Sequence, residues 1–368
     1  MTLCRLGISH IRNISNANVE LSNGVNLFVG PNGSGKTSIL ESVYFLGSGR
    51  SFRNNSVEPL ISRGEQACVV FGSIIGKQNQ RVTLGVKRGR DGSREIRRNG
   101  EKVQRASLLA RSLPTIVLGP DTIELLTGPP ANRRQFLNWG VFHVEPSFAE
   151  LWEQMTRCLR QRNELIRHPA MQRRELDGWN DQLVSLAEQI DQQRSRYFDH
   201  LSQAFGEIVT ELAGLSGVSC TYYCGWDSTE GLARQLERQL EGDQQRGFTQ
   251  AGPHRADIRL RIGRQAVATA GSRGELKILA WSLVLAQGRV FDSLNTGTLV
   301  YLVDDLAAEL DQDHRRKVCA LLENTGAQIL VTGIDRSHIV DNWRDADIRV
   351  FHVEHGEFSE EERQDERR

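Results

Sequence analysis

Apolar residues recur along the chain at two spacings, which predict strands and helices in turn. Leu3 to Ile11 alternates between apolar and polar residues, and Val25 to Val29 is mainly apolar, so both runs predict strands. From Thr37 to Leu46 the apolar residues follow helical spacing. Short alternating runs then surround turn sequences at Arg90–Gly92 and Asn99–Gly100. Because Asn-Gly is a strong two-residue turn signal, this part of the chain predicts β-hairpins.

A long polar, helix-forming stretch extends from Ser147 to about Gly214, with a break at His168–Pro169 and a restart near Glu175. Its second part carries apolar residues at helical intervals, namely Leu183, Leu186, Ile190, Tyr197, Leu201, Phe205, Ile208 and Leu212. We therefore expect an inserted, mainly helical lid domain over residues 119–246.

Alternating strands and helices return after Ala251. The predicted elements are strands at Ile258–Ile262, Leu299–Val303 and Gln328–Thr332, and helices at Glu275–Ala286 and His314–Leu322. Such alternation is typical of a largely parallel sheet covered by helices. We expect residues 1–118 and 247–368 to form one discontinuous α/β domain.

A phosphate-binding motif stands between the apolar strand and the first helix. The sequence matches G-x-x-x-x-G-K-[ST] without a mismatch, in the strand-to-helix context that the motif requires. Its residues are the candidate nucleotide ligands Gly30, Pro31, Asn32, Gly33, Ser34, Gly35, Lys36 and Thr37. Backbone N–H groups of such a loop surround phosphate oxygens, the lysine reaches the β- and γ-phosphates, and the threonine hydroxyl binds Mg²⁺. ATP and Mg²⁺ are therefore the expected cofactors.

The loop requires a partner strand that ends in an acidic residue. Leu299 to Val303 delivers Asp304 to the end of a buried strand, where nucleotide sites of parallel sheets lie. We predict that Asp304 holds the Mg²⁺ together with Thr37. Asp305 follows where a general base would polarise the attacking water, so Asp304 and Asp305 are the catalytic candidates.

Further motifs appear between and after these two. Gly271 to Lys277 contains a Ser-x-Gly signature at a predicted helix start, with Ser272 and Gly274 as candidate nucleotide contacts, and Ala307 to Asp311 follows the acidic strand. In this order the motifs resemble ABC-type ATPase heads, and among these the RecF family, whose members are related to SMC heads without their coiled coils. Other matching segments are Arg12–Asn13, Gly49–Arg53, Gly128–Arg134, Phe136–Leu137 and Gly252–Arg255.

The resemblance implies an ABC-type P-loop ATPase head with a mixed sheet and an inserted helical lid. It implies a weak DNA-dependent ATPase of recombinational repair, in which two ATP-bound copies close on duplex DNA near single-strand gaps. The expected partners are gapped, duplex or single-stranded DNA and the RecR and RecO proteins, with which the family assists RecA loading, replication restart and SOS induction. Slow hydrolysis would then release the DNA.

Two positions depart from the family pattern. Gly271 stands where the family usually has leucine, and Glu275 stands where it usually has glutamine. Because a carboxylate near a γ-phosphate repels it, we expect weaker dimer closure or slower hydrolysis than in a Glu275→Gln variant.

The net charge is zero, with 46 basic and 46 acidic residues, so the charge balance alone points to neither nucleic acid nor membrane. The basic residues are unevenly distributed, however: residues 81–105 contain nine basic and three acidic ones. Backbone contacts to DNA are predicted for Lys87, Arg88, Arg90, Arg94, Arg97, Arg98, Arg157 and Arg160. The alternative is a solvated charged surface, and aromatic residues are not interleaved with these runs, which argues against base stacking.

Two other classes of protein share the nucleotide motifs. A transporter ATPase subunit would have a compact helical subdomain and a membrane-coupling groove, and membrane association would identify it. A chromosome-organising head would need long heptad arms and an extended hydrodynamic shape. Scattered cysteines and the lack of an apolar run of eighteen residues favour a cytoplasmic location.

Overall fold

The structure is a computed structural model that describes residues 2–54, 56–76, 79–168, 172–215, 217–294, 297–344 and 346–361. By packing, the chain divides into two compact units, one made of residues 1–122 and 295–368 and the other of residues 123–294. Within the described ranges, no helix combines the length and apolar character that crossing a bilayer requires.

The elements follow one another along the chain in this order. The first part contains β1 (Thr2–Ile11), β2 (Ile14–Glu20), β3 (Val25–Val29), α1 (Lys36–Ser48), β4 (Ala67–Ile75), β5 (Arg81–Gly89), β6 (Arg94–Arg98), β7 (Glu101–Val103), α2 (Ser107–Ser112) and β8 (Thr115–Leu118). The second unit contains α3 (Glu124–Thr127), α4 (Pro130–Val144), α5 (Phe148–Arg167), α6 (Arg173–Ala213), β9 (Val218–Tyr223), α7 (Leu232–Arg238), α8 (Leu240–Arg246), β10 (Asp257–Ile262), β11 (Gln265–Ala266), α9 (Val267–Ala270) and α10 (Arg273–Ser293). The last part contains β12 (Val300–Val303), α11 (Leu306–Glu309), α12 (Gln312–Glu323), β13 (Gln328–Gly333), α13 (Ser337–Val340), β14 (Ile348–Glu354) and β15 (Glu357–Glu360).

The first unit contains two six-stranded sheets. Sheet A has the order β2-β1-β4-β5-β6-β7 and is antiparallel, and the predicted hairpins form its second half. The Asn99–Gly100 turn has left-handed backbone at both residues, with φ of 52° and 82°, as the Asn-Gly signal predicts. Sheet B has the order β15-β14-β3-β13-β12-β8, and its strands are parallel except for β15.

Helix α1 joins the two sheets through one apolar core. Its Ile39 and Leu40 are fully buried, as are Leu6 on β1 and Leu330 on β13, and all four belong to the same cluster. A helix buried on most of its surface needs mainly small or apolar residues on every side, and α1 has them apart from the buried Lys36 and Glu41, which have hydrogen-bond partners. This packing fixes the start of α1, and therefore Lys36, relative to the ends of the sheet B strands.

The second unit is mainly helical, and its longest element is α6. The apolar residues predicted to line one helix face between 183 and 212 are all buried on α6, where they face α5 and α10. Helix α5 ends at Arg167 and α6 begins at Arg173. The predicted break is therefore confirmed, although Pro169 lies outside the described residues.

Two strand predictions need comment. Leu299–Val303 and Gln328–Thr332 are confirmed as strands of the parallel sheet. Ile258–Ile262 is also a strand, but it lies in a small antiparallel sheet of order β11-β10-β9 in the second unit. Placing it in the parallel sheet was wrong, because its partner β9 is supplied locally by the chain that follows α6.

The packing boundaries differ from the predicted domain boundaries. Residues 247–294, predicted to belong to the ATPase head, pack in the second unit because α10 lies against α6 and α4. A unit defined by packing need not coincide with the part of the chain that forms the nucleotide-binding head. The division into a head of residues 1–118 and 247–368 and a lid of residues 119–246 therefore stays a prediction.

Candidate nucleotide site and basic surfaces

The phosphate-binding motif forms a loop between β3 and α1, as predicted. Gly33 and Gly35 have φ of 80° and 119°, a left-handed conformation that side chains other than glycine rarely adopt. The Lys36 Nζ donates hydrogen bonds to the carbonyl oxygens of Gly30 and Pro31, both at 2.7 Å. Burial lowers the pKa of Lys36, whereas the charges of Asp305 and Asp304 oppose that shift. The lysine is thus held inside the loop.

Asp304 meets the loop from the end of β12. The Thr37 hydroxyl donates to its carboxylate at 2.9 Å, and the Thr332 hydroxyl, at the end of β13, donates to it at 2.7 Å. Only 8% of Asp304 is exposed, so burial raises its pKa, and the two hydroxyl hydrogen bonds moderate the effect. The predicted pairing of Thr37 with Asp304 is therefore present in the geometry.

Asp305 follows with left-handed backbone, at φ 52° and ψ 48°. Its N–H donates to the Thr332 hydroxyl at 2.8 Å. One threonine therefore fixes the carboxylate of Asp304 and the backbone of Asp305 together. Left-handed backbone at a residue other than glycine is uncommon and occurs preferentially at functional sites.

A second layer of side chains holds the loop, and the sequence alone gave no role to these residues. The Asn13 amide donates to the Gly33 carbonyl oxygen at 3.1 Å, and its oxygen accepts from the Ser38 hydroxyl at 2.9 Å. Arg12 makes two hydrogen bonds of 2.8 Å to the fully buried carboxylate of Glu41 on α1. The signal was the position of Arg12–Asn13 in a polar turn directly after an alternating strand.

The residues present fit a nucleotide phosphate and a magnesium ion. The Ser34 hydroxyl is buried in the loop and has no hydrogen-bond partner among the described residues. A buried polar atom of this kind is expected where a ligand supplies the missing partner. Thr37 and Asp304 offer hydroxyl and carboxylate oxygens, the ligands that Mg²⁺ prefers.

The signature lies in the second unit, at the start of α10. The Ser272 N–H donates to the Glu275 carboxylate at 2.8 Å, and the Ser272 hydroxyl accepts from the Glu275 N–H at 3.4 Å, which forms a capping box. This hydrogen bonding lowers the pKa of Glu275. Ser272 and Gly274 are exposed, and a Cβ atom at Gly274 would meet nothing within 4 Å. The approach to this helix start is therefore open.

The predicted DNA-contacting residues separate into distinct surroundings. Lys87 and Arg97 lie on the outer face of sheet A, whereas Arg88 and Arg94 oppose each other in register on its inner side. Burial and the charges of Arg88 and Arg50 lower the pKa of Arg94. Arg50, Arg88 and Arg94 lie close to the end of α1, and we call this group the arginine rim.

Other predicted contacts have different surroundings. The Arg90 guanidinium donates to the backbone oxygens of Glu65, Ile61 and Ser62, so it braces a loop. Arg157 and Arg160 are exposed on α5, and Arg98 is exposed near the edge of sheet A. All of these DNA contacts stay predictions.

A strand–loop–helix with a lysine inside the loop, and an acidic strand end hydrogen-bonded to the threonine that follows it, define a P-loop ATPase head. The sequence profile of the RecF/RecN/SMC N terminal domain matches residues 2–359. The chain belongs to this family, within the RecF branch. Over 97% of its length it is 44% identical to "DNA replication and repair protein RecF" of Chromohalobacter salexigens, covering 99% of that protein, and over 98% it is 41% identical to the RecF of Pseudomonas aeruginosa, also covering 98%.

Solved structures agree on the fold. The chain resembles "Structure of the recombination mediator protein RecF-ATP in RecFOR pathway" with a TM-score of 0.86 at 23% identity, covering 98% of both chains. It also resembles an Smc head bound to the C-winged helix domain of ScpA, with a TM-score of 0.60 at 18% identity, covering 99% of this chain and 98% of that one. The expected ABC-type ATPase fold is confirmed.

Proposed function

We propose that the chain is an ATP-dependent DNA-binding protein of recombinational repair that acts in the cytoplasm. Two ATP-bound copies close on duplex DNA near a single-strand gap, and slow hydrolysis opens them. The observation that carries the proposal is the nucleotide site of Lys36, Thr37 and Asp304 in a chain that matches RecF proteins along nearly its whole length.

The site residues have separate roles in this proposal. Lys36 and the loop N–H groups bind the phosphates, and the Ser34 hydroxyl gains a phosphate oxygen as its acceptor. Thr37 and Asp304 would hold Mg²⁺, which supplies charge neutralisation at the β- and γ-phosphates when bound. Asp305, positioned through Thr332, orients the attacking water and accepts its proton.

Dimer closure depends on the exposed signature. The Ser272 hydroxyl and the first N–H groups of α10 can donate to the γ-phosphate held by a second copy. ADP lacks that phosphate, so only ATP distinguishes the closed dimer from the open one. Hydrolysis removes the contact and favours opening.

The arginine rim supports duplex binding. Arg88 and Arg94 stand directly opposite each other in a strand pair, an arrangement that destabilises the free sheet through like-charge repulsion. DNA phosphates would relieve the repulsion. Binding of this kind does not depend on the DNA sequence, and it weakens as the salt concentration rises. The slope of log binding constant against log salt concentration becomes more negative by about 0.9 for each phosphate contact.

The experiment is fluorescence anisotropy of a gapped duplex, titrated with protein at two salt concentrations with ATP, ADP or no nucleotide. We expect tight, salt-sensitive binding that requires ATP and fails in Lys36→Arg. Arg94→Ser should lower the salt slope by about 0.9, whereas Arg316→Ser, an exposed arginine on α12, serves as the matched control. Binding that is equally tight with ATP, with ADP and without nucleotide would show that DNA binding does not depend on the ATPase site.

The partner proposal needs its own test. We propose that the chain acts with RecR and RecO proteins to assist RecA loading and thereby supports replication restart and SOS induction. The expected result is RecR-dependent acceleration of RecA assembly on gapped DNA, lost in Lys36→Arg. An equal acceleration by that variant would contradict the proposed role of ATP.

A further inference from the structure

The outer face of sheet A carries two exposed apolar side chains near its centre. Phe71 and Val69, on β4, are 42% and 38% exposed, whereas their neighbours Cys68 and Val70 are fully buried. Strict alternation along β4 therefore places the aromatic ring on the outer face rather than in the core. Phe71 and Val69 thus form a small exposed apolar patch on this face, and the groups around the patch decide what it can bind.

Glycines flank Phe71 on both neighbouring strands. Gly7 on β1 and Gly85 on β5 are its direct cross-strand partners. Neither has left-handed backbone, and a Cβ at Gly85 would meet only the Arg97 Cβ atom, at 3.8 Å. At Gly7 the closest atom would be the Asn18 amide oxygen at 3.4 Å, an ordinary contact.

A Cβ atom would thus fit at both positions, so space does not require glycine there, although glycine weakens a strand interior. Its effect here is to leave the space beside the Phe71 side chain open, with a shallow concavity of about 310 Å³ on the Gly85 side and another of about 370 Å³ on the Gly7 side. Glycine in a strand often marks a place where a ligand approaches closely.

Basic residues surround this open aromatic. In strand register Lys87 lies beside Val69, and Arg97 lies beside Gly85. Because neighbouring strands are about 4.8 Å apart, Arg97 stands roughly 10 Å from Phe71 across the face. The outward positions also include Arg5, Arg81 and Lys102, against the acids Glu20 and Glu95. Glu95 lies opposite Lys87 and accepts a hydrogen bond of 2.6 Å from the Arg97 Nε, so a phosphate at Arg97 would compete with this exposed ion pair.

We propose that the outer face of sheet A binds an unpaired nucleic-acid strand, with a base stacked on Phe71 and backbone phosphates at Lys87 and Arg97. This goes beyond the proposed function, because it assigns the unpaired strand to a separate surface, the outer face of sheet A, and to stacking on Phe71, with no requirement for ATP. Duplex DNA keeps its bases stacked within the helix, so Phe71 would add nothing to duplex affinity. A basic margin around one exposed ring matches a single strand, since every base offers a π-face.

The sequence alone did not reveal this arrangement. Phe71 lies before the basic run in the chain, and the pairing of β4 with β5 is what places it diagonally across from Lys87. The expectation that base stacking is not indicated depended on aromatics interleaved along the sequence, whereas a sheet interleaves them across strands.

The test measures anisotropy of fluorescein-labelled oligodeoxythymidine without nucleotide. Phe71→Ala should weaken binding roughly 5- to 100-fold, the range for losing one stacked base, and Phe71→Leu should weaken it similarly because leucine lacks the π-face. Phe71→Trp should restore it. Phe248→Ala is the matched control, since it removes an aromatic ring of similar exposure, 37%, that lies outside sheet A.

A second variant obstructs the site while keeping the ring. Gly85→Val suits a strand and should fold normally by circular dichroism, yet it should weaken oligodeoxythymidine binding by covering one side of Phe71. Emission of 2-aminopurine placed in the oligonucleotide should change with wild-type protein and not with Phe71→Ala.

Two results would overturn the proposal. One is oligodeoxythymidine affinity that is equal in wild type, Phe71→Ala and Gly85→Val. The other is Phe71→Ala that leaves oligonucleotide binding intact but loses binding to a purified protein partner, which would make the face a protein interface. ATP-dependent duplex binding should persist in all these variants, so failure of the proposed function remains a separate result.

Discussion

Lys36 and Ser272 each begin a helix that carries a nucleotide-binding motif, but their surroundings differ. Lys36 is 8% exposed, and both its loop and Asp304 are held by neighbouring side chains. Ser272 is exposed, and among the described residues the side chain that hydrogen-bonds to its backbone belongs to Glu275, three residues later in the same helix. The phosphate loop is thus organised before a ligand arrives, whereas the signature is a local structure open to one. In the proposed mechanism, ATP binds first to the phosphate loop, and the signature of a second copy responds to it afterwards.

The largest effect is expected from a substitution of the proposed general base beside the phosphate loop. Asp305→Asn should lower the turnover number at least about 100-fold, because a general base contributes 10²- to 10⁴-fold. ATP affinity, measured by equilibrium titration, should stay within a few-fold of wild type. Asp313→Asn, an exposed acid on α12, is the control. A normal turnover number in Asp305→Asn would remove it from the mechanism.

The bracing of α1 predicts a large loss of stability. Arg12→Ala leaves the buried Glu41 carboxylate without its guanidinium, although the Ser51 hydroxyl still donates to it. Removing one partner of a buried ion pair costs about 3 kcal/mol or more. Denaturant unfolding should show this loss, whereas Arg316→Ala, in an exposed pair, should cost under about 1 kcal/mol. Equal losses of unfolding free energy in the two variants would show that the Arg12–Glu41 pair does not stabilise α1.

The second unit should lose stability in acid through His254. Burial lowers the pKa of His254 to about 4, below its ordinary 6.5, so the folded unit binds fewer protons than the unfolded chain. Its contribution is present above pH 6.5 and is lost as the pH falls toward 4, up to roughly 3 kcal/mol. His254→Gln should remove this difference when unfolding is compared at about pH 7 and about pH 4.5.

Asp304, in the first unit, changes the pH dependence of stability in the opposite direction. Its raised pKa means that the folded state binds protons more readily than the unfolded chain, so this contribution weakens as the pH rises. An acid loss of stability that is unchanged in His254→Gln would show that other groups determine the pH dependence.

Thr332 offers a smaller and more specific test. Thr332→Val keeps the shape but removes the hydroxyl that donates to Asp304 and accepts from the Asp305 N–H. The loss should be about 1–3 kcal/mol of unfolding free energy, with kcat reduced more than KM because the acid pair is displaced. Thr332→Ser should restore kcat. A purely structural role would leave the Thr332→Val kcat unchanged.

The smallest effect is expected in the exposed half. Glu275→Gln retains an oxygen acceptor for the Ser272 N–H but removes the negative charge. We expect little change in stability, because the charge is exposed to solvent at the helix start, and a several-fold tighter ATP-dependent dimer with faster hydrolysis. Analytical ultracentrifugation and a phosphate-release assay measure both. If neither changes, the carboxylate does not oppose closure.

Local patterns predicted three elements well. The phosphate loop, the strand ending at Asp304 and the apolar face of α6 all follow from residues within a few positions of one another. Each element also has the flanking residues that its type requires, such as glycine in the loop and Asn-Gly in the hairpin.

What could not be predicted depends on pairing between distant residues. Thr332 reaches Asp304 because β13 lies beside β12, and Asn13 reaches Gly33 through the packing of the first unit. The strand Ile258–Ile262 was given the wrong sheet for the same reason, since periodicity shows that a strand exists and not which strand it pairs with.

The phosphate loop has a further consequence for how the protein is made. Its strand β3 pairs on one side with β13 and on the other with β14, and the N–H of Gly356 donates to the Ser34 carbonyl oxygen within the loop. A ribosome synthesises the loop early but its neighbours only after residue 327. Because such long-range parallel pairing forms slowly, a nascent chain would acquire nucleotide affinity late, and ATP binding would report that synthesis has passed β14.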